Sequence, residues 1–183
     1  MRQELQTENK DAVNTARRKR KGVTKMPRNP KKVEKRILLP DAKYNSILVT
    51  KFINKIMLDG KKSLAQKLVY SAIEEAGNKV KKEGLEVFET AIKNVSPVLQ
   101  VKSRRIGGAT YQVPMEVKGD RRLHYAFAWV RDAARKRSGL SFDKALAIEL
   151  ADSYNNVGTA IKKREDTHKM AEANKAFAHF ARY

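Results

Sequence analysis

The chain has 183 residues, and its 40 Lys and Arg against 20 Asp and Glu leave a formal net charge of +20 at pH 7. At 41% apolar and 33% charged residues, with apolar runs soon broken by Lys, Asp or Ser, it is neither an acidic disordered chain nor a membrane-spanning one. The absence of Cys excludes disulfides, thiolate zinc sites and cysteine nucleophiles, and fits a reducing compartment.

Self-repulsion at +20 opposes compactness unless a polyanion neutralises it, so nucleic acid is the expected partner, ahead of an anionic membrane. Met1–Lys10 is polar and no apolar segment follows, unlike a secretory signal, and Glu4, Glu8 and Asp11 disfavour an organellar transit peptide. Residues 16–36 carry eleven basic residues, among them Arg28, Lys35 and Arg36, against Glu34 alone. With almost no large apolar side chains, this arm cannot offset its ordering entropy by burial, so it is expected to be disordered alone and to fold along a phosphate backbone.

From Ile37 the pattern becomes helical. Val49, Phe52, Ile53, Ile56 and Met57 make one helical face ending at Asp59-Gly60. A second helix is expected through Leu64, Leu68, Ala72, Ile73, Ala76 and Val80, stopping near Gly84. A third runs through Phe88, Ala91, Ile92 and Val95, and Pro97 closes it. In Ala109–Lys118 the period changes to two, with Tyr111, Val113, Met115 and Val117 on one side, and Val98–Ile106 reads as the partner strand. Gly107-Gly108 supplies positive φ at both turn positions, so residues 98–118 form a β-hairpin whose Lys102, Arg104 and Arg105 sit near the tip. Such a two-stranded ribbon is marginal alone and suits a groove of nucleic acid.

A fourth helix follows through Leu123, Phe127, Val130 and Ala134, with Arg131, Arg135, Lys136 and Arg137 crowding its end. Ser141 is expected to cap a fifth, and a last helix spans about Ile161 to Ala181. The fold class is mainly α: a bundle of about six helices over residues 37–183, one protruding hairpin, and a basic arm over residues 1–36.

No catalytic constellation emerges. His168 and Glu172 share a helical face, but two ligands rarely hold zinc. Gly60-Lys61-Lys62-Ser63 fails as a phosphate loop, because position 62 is Lys and position 55 is Lys rather than Gly. No G-x-S-x-G elbow is present, and the carboxylates are scattered among cations, Glu165 between Lys162 and Lys169 for instance. The chain reads as a non-enzyme without metal, cofactor or small-molecule substrate. Cations interleaved with Tyr111, Tyr125, Trp129, Phe177, Phe180 and Tyr183 suit single-stranded RNA, although plain core packing is the more economical role for Trp129 and Phe177.

Val101–Pro114 (VKSRRIGGATYQVP) resembles the hairpin signature of the bacterial small-subunit ribosomal protein seven family, and Ala160–His179 (AIKKREDTHKMAEANKAFAH) resembles its C-terminal block. Leu39-Pro40-Asp41 and Met57–Ser63 (MLDGKKS) are similar to its first-helix region, and the likeness runs from about Met26 onward. The resemblance implies a helical bundle with an extended hairpin that binds 16S-type ribosomal RNA and nucleates assembly of the small-subunit head from the 3′ major domain. It implies a cytoplasmic protein, an organellar ribosome being the lesser alternative. Its place would be near the exit-site tRNA and the mRNA path, beside small-subunit proteins nine and eleven. Carried over by position, Arg28, Lys35, Arg36, Lys61, Lys62, Lys102, Arg104, Arg105, Lys118, Arg121 and Arg122 would contact ribosomal RNA, and Gly107, Gly108, Lys163 and Arg164 would face tRNA.

The chain departs from the family pattern in four places. Residues 1–25 precede the usual start, so they are an extension or a misassigned start codon. Gly119-Asp120 replaces a Pro and a variable residue, Ala128-Trp129 replaces an Arg-Trp pair, and a longer tail of some relatives is missing after Tyr183. The rival reading is an architectural DNA binder with a basic β-ribbon, although the tip here is Gly107-Gly108 rather than an apolar wedge. A nucleic-acid-processing enzyme is disfavoured for want of an acidic metal cluster.

Overall fold

The computed structural model describes residues 37–182, so the arm and its Arg28, Lys35 and Arg36 lie outside the described residues. Within them the chain forms α1 (Ile47–Ile56), α2 (Lys62–Val80), α3 (Gly84–Val95), β1 (Leu99–Ile106), β2 (Ala109–Glu116), α4 (Gly119–Lys136), α5 (Phe142–Tyr154) and α6 (Thr159–Ala173). A 3-10 helix, Lys175–Arg182, follows. The architecture is mainly helical with one two-stranded antiparallel hairpin, as the periodicity predicts.

Three phenylalanines from three helices meet at the centre. Phe52 of α1 lies 5.2 Å from the ring of Phe88 on α3 and 5.3 Å from that of Phe127 on α4. Around them Val49, Ile53, Val87, Ile92, Val95, Leu146 and Leu150 are buried, each worth about 1.5–3 kcal/mol relative to exposure. The expected stripes of α1, α3 and α4 therefore face the core, with Met57 and Leu123 half-buried at its margin.

The buried face of α2 differs from the expectation in its first two turns. Ala65 and Val69 are buried, whereas Leu64 is 52% exposed and Leu68 half-buried. The continuous stripe is Ala65, Val69, Ala72, Ile73, Ala76 and Gly77, whose alanines and glycine let α5 and α3 approach closely around Val69 and Ile73. Leu64 and Leu68 instead line a surface groove with Met57, Leu58 and Phe142. The helix ends at a left-handed residue, Lys81 at φ 58°, and Gly84 opens α3 rather than stopping α2. A Cβ at Gly84 would stand 2.7 Å from the Ile73 carbonyl oxygen, so only glycine fits this corner.

Before α1, the Asp41 carboxylate organises the chain entry. It accepts the backbone N–H of Lys43 at 3.2 Å and the Tyr70 hydroxyl of α2 at 2.7 Å. Burial and this bond push the Tyr70 phenol up to about 12. At the other end of the bundle, fully buried Glu149 of α5 accepts from Arg137 Nη2 at 2.7 Å and from the Ala160 N–H of α6 at 2.8 Å. Arg137, expected among the cations at the end of α4, is thereby a structural residue. Ser141 stands at the N-cap of α5 in extended backbone, but its hydroxyl makes no capping bond. It supports the Asp143 carboxyl instead, holding it below its usual range.

The hairpin turn is as expected, with Gly107 at φ 56° and Gly108 at φ 92°. Its base extends through a Val117 N–H to Val98 carbonyl bond of 2.9 Å. The last helix stops earlier than Ala181: α6 ends at Ala173, and the chain tightens into the 3-10 helix after Asn174, whose side-chain amide donates to the Met170 carbonyl at 2.8 Å. Three residues per turn place Phe177 and Phe180 on one line. Both rings meet Tyr111 of β2, with centroids 5.1 and 5.5 Å away. An α-helix would rotate Phe180 about 60° off that line. The ribbon is therefore braced by the end of the chain, and Phe177 packs on it rather than in the bundle core.

Candidate nucleic-acid interface

The register of the hairpin distributes its cations. Lys102 pairs with Val113, Arg104 with Tyr111 and Arg105 with Thr110. Because facing residues share a side of the ribbon, Lys102 and Arg104 emerge on the face that carries Val113 and Tyr111, and Arg105 on the other. Val113 and Tyr111 are covered while Lys102 and Arg105 are exposed and Arg104 half-buried. The three cations make no ion pair among the described residues, so their charges are available to phosphates.

Of the remaining expected contacts, Lys61, Lys62, Lys118 and Arg121 are exposed and likewise make no ion pair among the described residues. Lys61 and Lys62 start α2, while Lys118 and Arg121 open α4 directly below the ribbon. Lys163 is exposed on the first turns of α6. Arg122 and Arg164 are committed internally. Arg122 Nε donates to the Val117 carbonyl at 2.9 Å, and its Nη2 lies 3.6 Å from Glu116, which locks the hairpin base onto α4. Arg164 Nη1 donates to the Asn94 carbonyl at the end of α3, and its Nη2 lies 3.4 Å from Glu165. Gly107 and Gly108 are exposed at the tip with open space where a Cβ would stand.

The structure adds basic residues that linear reading did not select. Lys55 of α1 lies 3.4 Å from His124 Nε2 on α4, and Arg121 and Arg131 bear on the same imidazole. Burial first, then Lys55, Arg121 and Arg131, depress the His124 pKa below its ordinary value, so the surrounding cations favour its neutral form. Lys51 adds to this surface while reaching Asp120 at 3.5 Å. The signal was present in the sequence as Lys51 and Lys55, four apart and off the apolar face of α1.

His168 serves the hairpin rather than a metal. Its Nε2 accepts the Val98 N–H at 3.1 Å, and burial followed by Arg164 holds its pKa down. Among the described residues no group of three or more His, Cys, Asp or Glu could hold a metal ion, and no helix is long and apolar enough to cross a membrane.

A helical body carrying a braced ribbon, with unpaired cations on the ribbon, at the start of α4 below it and at the start of α2, defines a structural protein suited to a polyanion. The chain matches the family model described as Ribosomal protein S7p/S5e over residues 27–175. It is 60% identical over 146 residues to the small ribosomal subunit protein uS7 of Natranaerobius thermophilus, covering 80% of this chain and 94% of that one. Against the proteins of the same name from Clostridium botulinum and Chloroflexus aggregans, identity is 60% over 148 residues and 57% over 150. Those matches cover 81% and 82% of this chain and 95% and 96% of the relatives. The chain belongs to the ribosomal protein S7p/S5e family, and it is a structural, non-enzymatic protein.

Proposed function

We propose that this chain works in the small ribosomal subunit as a primary binder of 16S-type ribosomal RNA that nucleates assembly of the head from the 3′ major domain. The observation that carries this reading is the group of exposed, unpaired cations Lys102, Arg105, Lys118 and Arg121 on and under the ribbon, joined by Lys61 and Lys62. Arg104 works from its half-covered position beside Tyr111, and Arg28, Lys35 and Arg36 extend the contact along the arm. In this reading Arg122 acts mainly by holding the hairpin base.

The ribbon tip at Gly107-Gly108 and the start of α6 at Lys163 lie toward the exit-site tRNA and the mRNA path, with Arg164 fixing α6 to α3. Small-subunit proteins nine and eleven are the neighbours, and the setting is cytoplasmic. The matched span beginning at residue 27 supports treating residues 1–25 as an addition to the RNA-binding unit.

The test is competition between a folded fragment of the 3′ major domain and duplex DNA of equal length, by filter binding across a salt series. Preference for the ribosomal fragment, with both affinities falling steeply as salt rises, is the expected result. Equal affinity at physiological salt would favour an architectural DNA binder instead.

A further inference from the structure

A groove separates α4 from α6. Its lining includes Trp129, Asp132 and Lys136 from α4, and Lys162, Lys163 and Asp166 from α6. Three features set it apart from an ordinary solvated seam. Trp129, the single tryptophan of the chain, is only half-buried there. One side of its indole stacks on Tyr125 at 5.8 Å and 28°, while the residue also lines the groove. Lys136, Lys162 and Lys163 make no ion pair among the described residues, although Asp166 follows Lys162 by four positions and Lys163 by three. Asp132 is tied to Arg131 at 2.6 Å, so Asp166 is the carboxylate left uncommitted.

We propose that this groove binds one unpaired ribonucleotide, with its base against Trp129, its phosphates on Lys136, Lys162 and Lys163, and guanine preferred through Asp166. The proposal rests on the RNA-binding reading above and adds to it a base-contacting site separate from the ribbon. The chemistry selects the ligand. Every nucleobase has a π-face that an indole can stack on, and a trio of lysines supplies the phosphate term. A carboxylate is an acceptor only, so it favours an edge that offers donors. Guanine offers N1–H and the 2-amino group side by side, whereas uracil offers a single N–H between two carbonyls. A duplex would keep its bases stacked inside, so the occupant is a nucleotide in a loop, bulge or single strand.

Because Trp129 is the sole indole, its fluorescence reports the groove and the Tyr125 stack beside it, and the ribbon variant below separates the two. The full-length protein is titrated with the tetranucleotides UUGU and UUUU, and with a ribosomal RNA fragment by filter binding in parallel. Saturable quenching by UUGU at about tenfold lower concentration than by UUUU is expected. A Lys162→Ala/Lys163→Ala variant should weaken it about tenfold with unchanged melting, and Asp166→Asn should erase the difference between the two oligonucleotides. A Lys102→Ala/Arg104→Ala/Arg105→Ala variant should retain the quenching in full. Fragment binding with no saturable change in Trp129 fluorescence overturns the groove and leaves the RNA-binding reading standing. Quenching indifferent to Lys162 and Lys163 overturns the groove as well. Equal response to UUGU and UUUU overturns the role of Asp166. Loss of fragment binding itself overturns the reading beneath both.

Discussion

Arg137, at the end of α4, donates from Nη2 to the fully buried carboxylate of Glu149 at 2.7 Å and to Asp152 at 2.6 Å. The other Glu149 oxygen accepts the Ala160 N–H, so a single buried charge ties α4, α5 and the start of α6 together. Removing the guanidinium would strand that charge. Arg137→Ala is expected to destabilise the fold by about 3–5 kcal/mol, and Arg137→Leu combined with Glu149→Leu by clearly less than the two single changes added together. Urea unfolding of the four proteins in the cycle measures this. Additive losses would show that the pair is not coupled.

The ribbon cations and the core should separate cleanly in experiment. Lys102→Ala/Arg104→Ala/Arg105→Ala is expected to weaken RNA binding and to lower the salt slope by about 0.7–0.9 for each phosphate no longer neutralised, with little change in Tm. Val95→Ala, at a position with no exposure on α3, should cost about 1–3 kcal/mol of stability and reduce binding only as the fold is lost. Thermal melts and filter binding at several salt concentrations check both. A triple variant that melts far lower yet binds normally when folded would make the ribbon a brace.

The aromatic clasp predicts a local effect. Phe177→Ala/Phe180→Ala removes both rings from Tyr111 and should speed amide exchange in β1 and β2 by about tenfold or more, leaving α1 to α3 nearly unchanged. Hydrogen-exchange mass spectrometry resolves the two regions. Slow exchange retained in the ribbon would assign the bracing to α6 alone.

Two imidazoles give a pH prediction with a definite sign. His124 and His168 have folded-state pKa values below their unfolded value of 6.5, so between the two the unfolded chain binds more protons. Their contribution is fully present above pH 6.5 and is lost as pH falls through that value toward the depressed ones. His168 must also stay neutral at Nε2 to accept the Val98 N–H, among Lys93, Arg164, Glu165, Lys169 and Glu172. Tm should fall between pH 7.5 and 5.5, and His124→Gln/His168→Gln should flatten that dependence. RNA affinity should move the opposite way, because phosphates beside Lys55 and Arg121 favour protonated His124. A Tm independent of pH across this window would contradict the assignment.

The sequence by itself determined most of the element types and pointed to a polyanionic partner, because both rest on local chemistry. Apolar spacing of 3.6 names Phe52, Phe88 and Phe127 as core wherever they end up, alternation with Gly107-Gly108 allows little but a hairpin, and a net charge of +20 points to a polyanion. The tertiary structure alone decided which cations remain for that partner. Arg122, Arg137 and Arg164 look no different along the chain from Arg121, Lys136 and Lys163, yet each of the first three has a carbonyl or carboxylate delivered to it by the packing. The same holds for the end of the last helix. Its local pattern suits an α-helix to Ala181, but Tyr111, distant in sequence, aligns Phe177 with Phe180, and that pairing goes with the tighter turn. Periodicity is read from neighbours in sequence, whereas the state of a charge or a ring depends on atoms that only folding brings within reach.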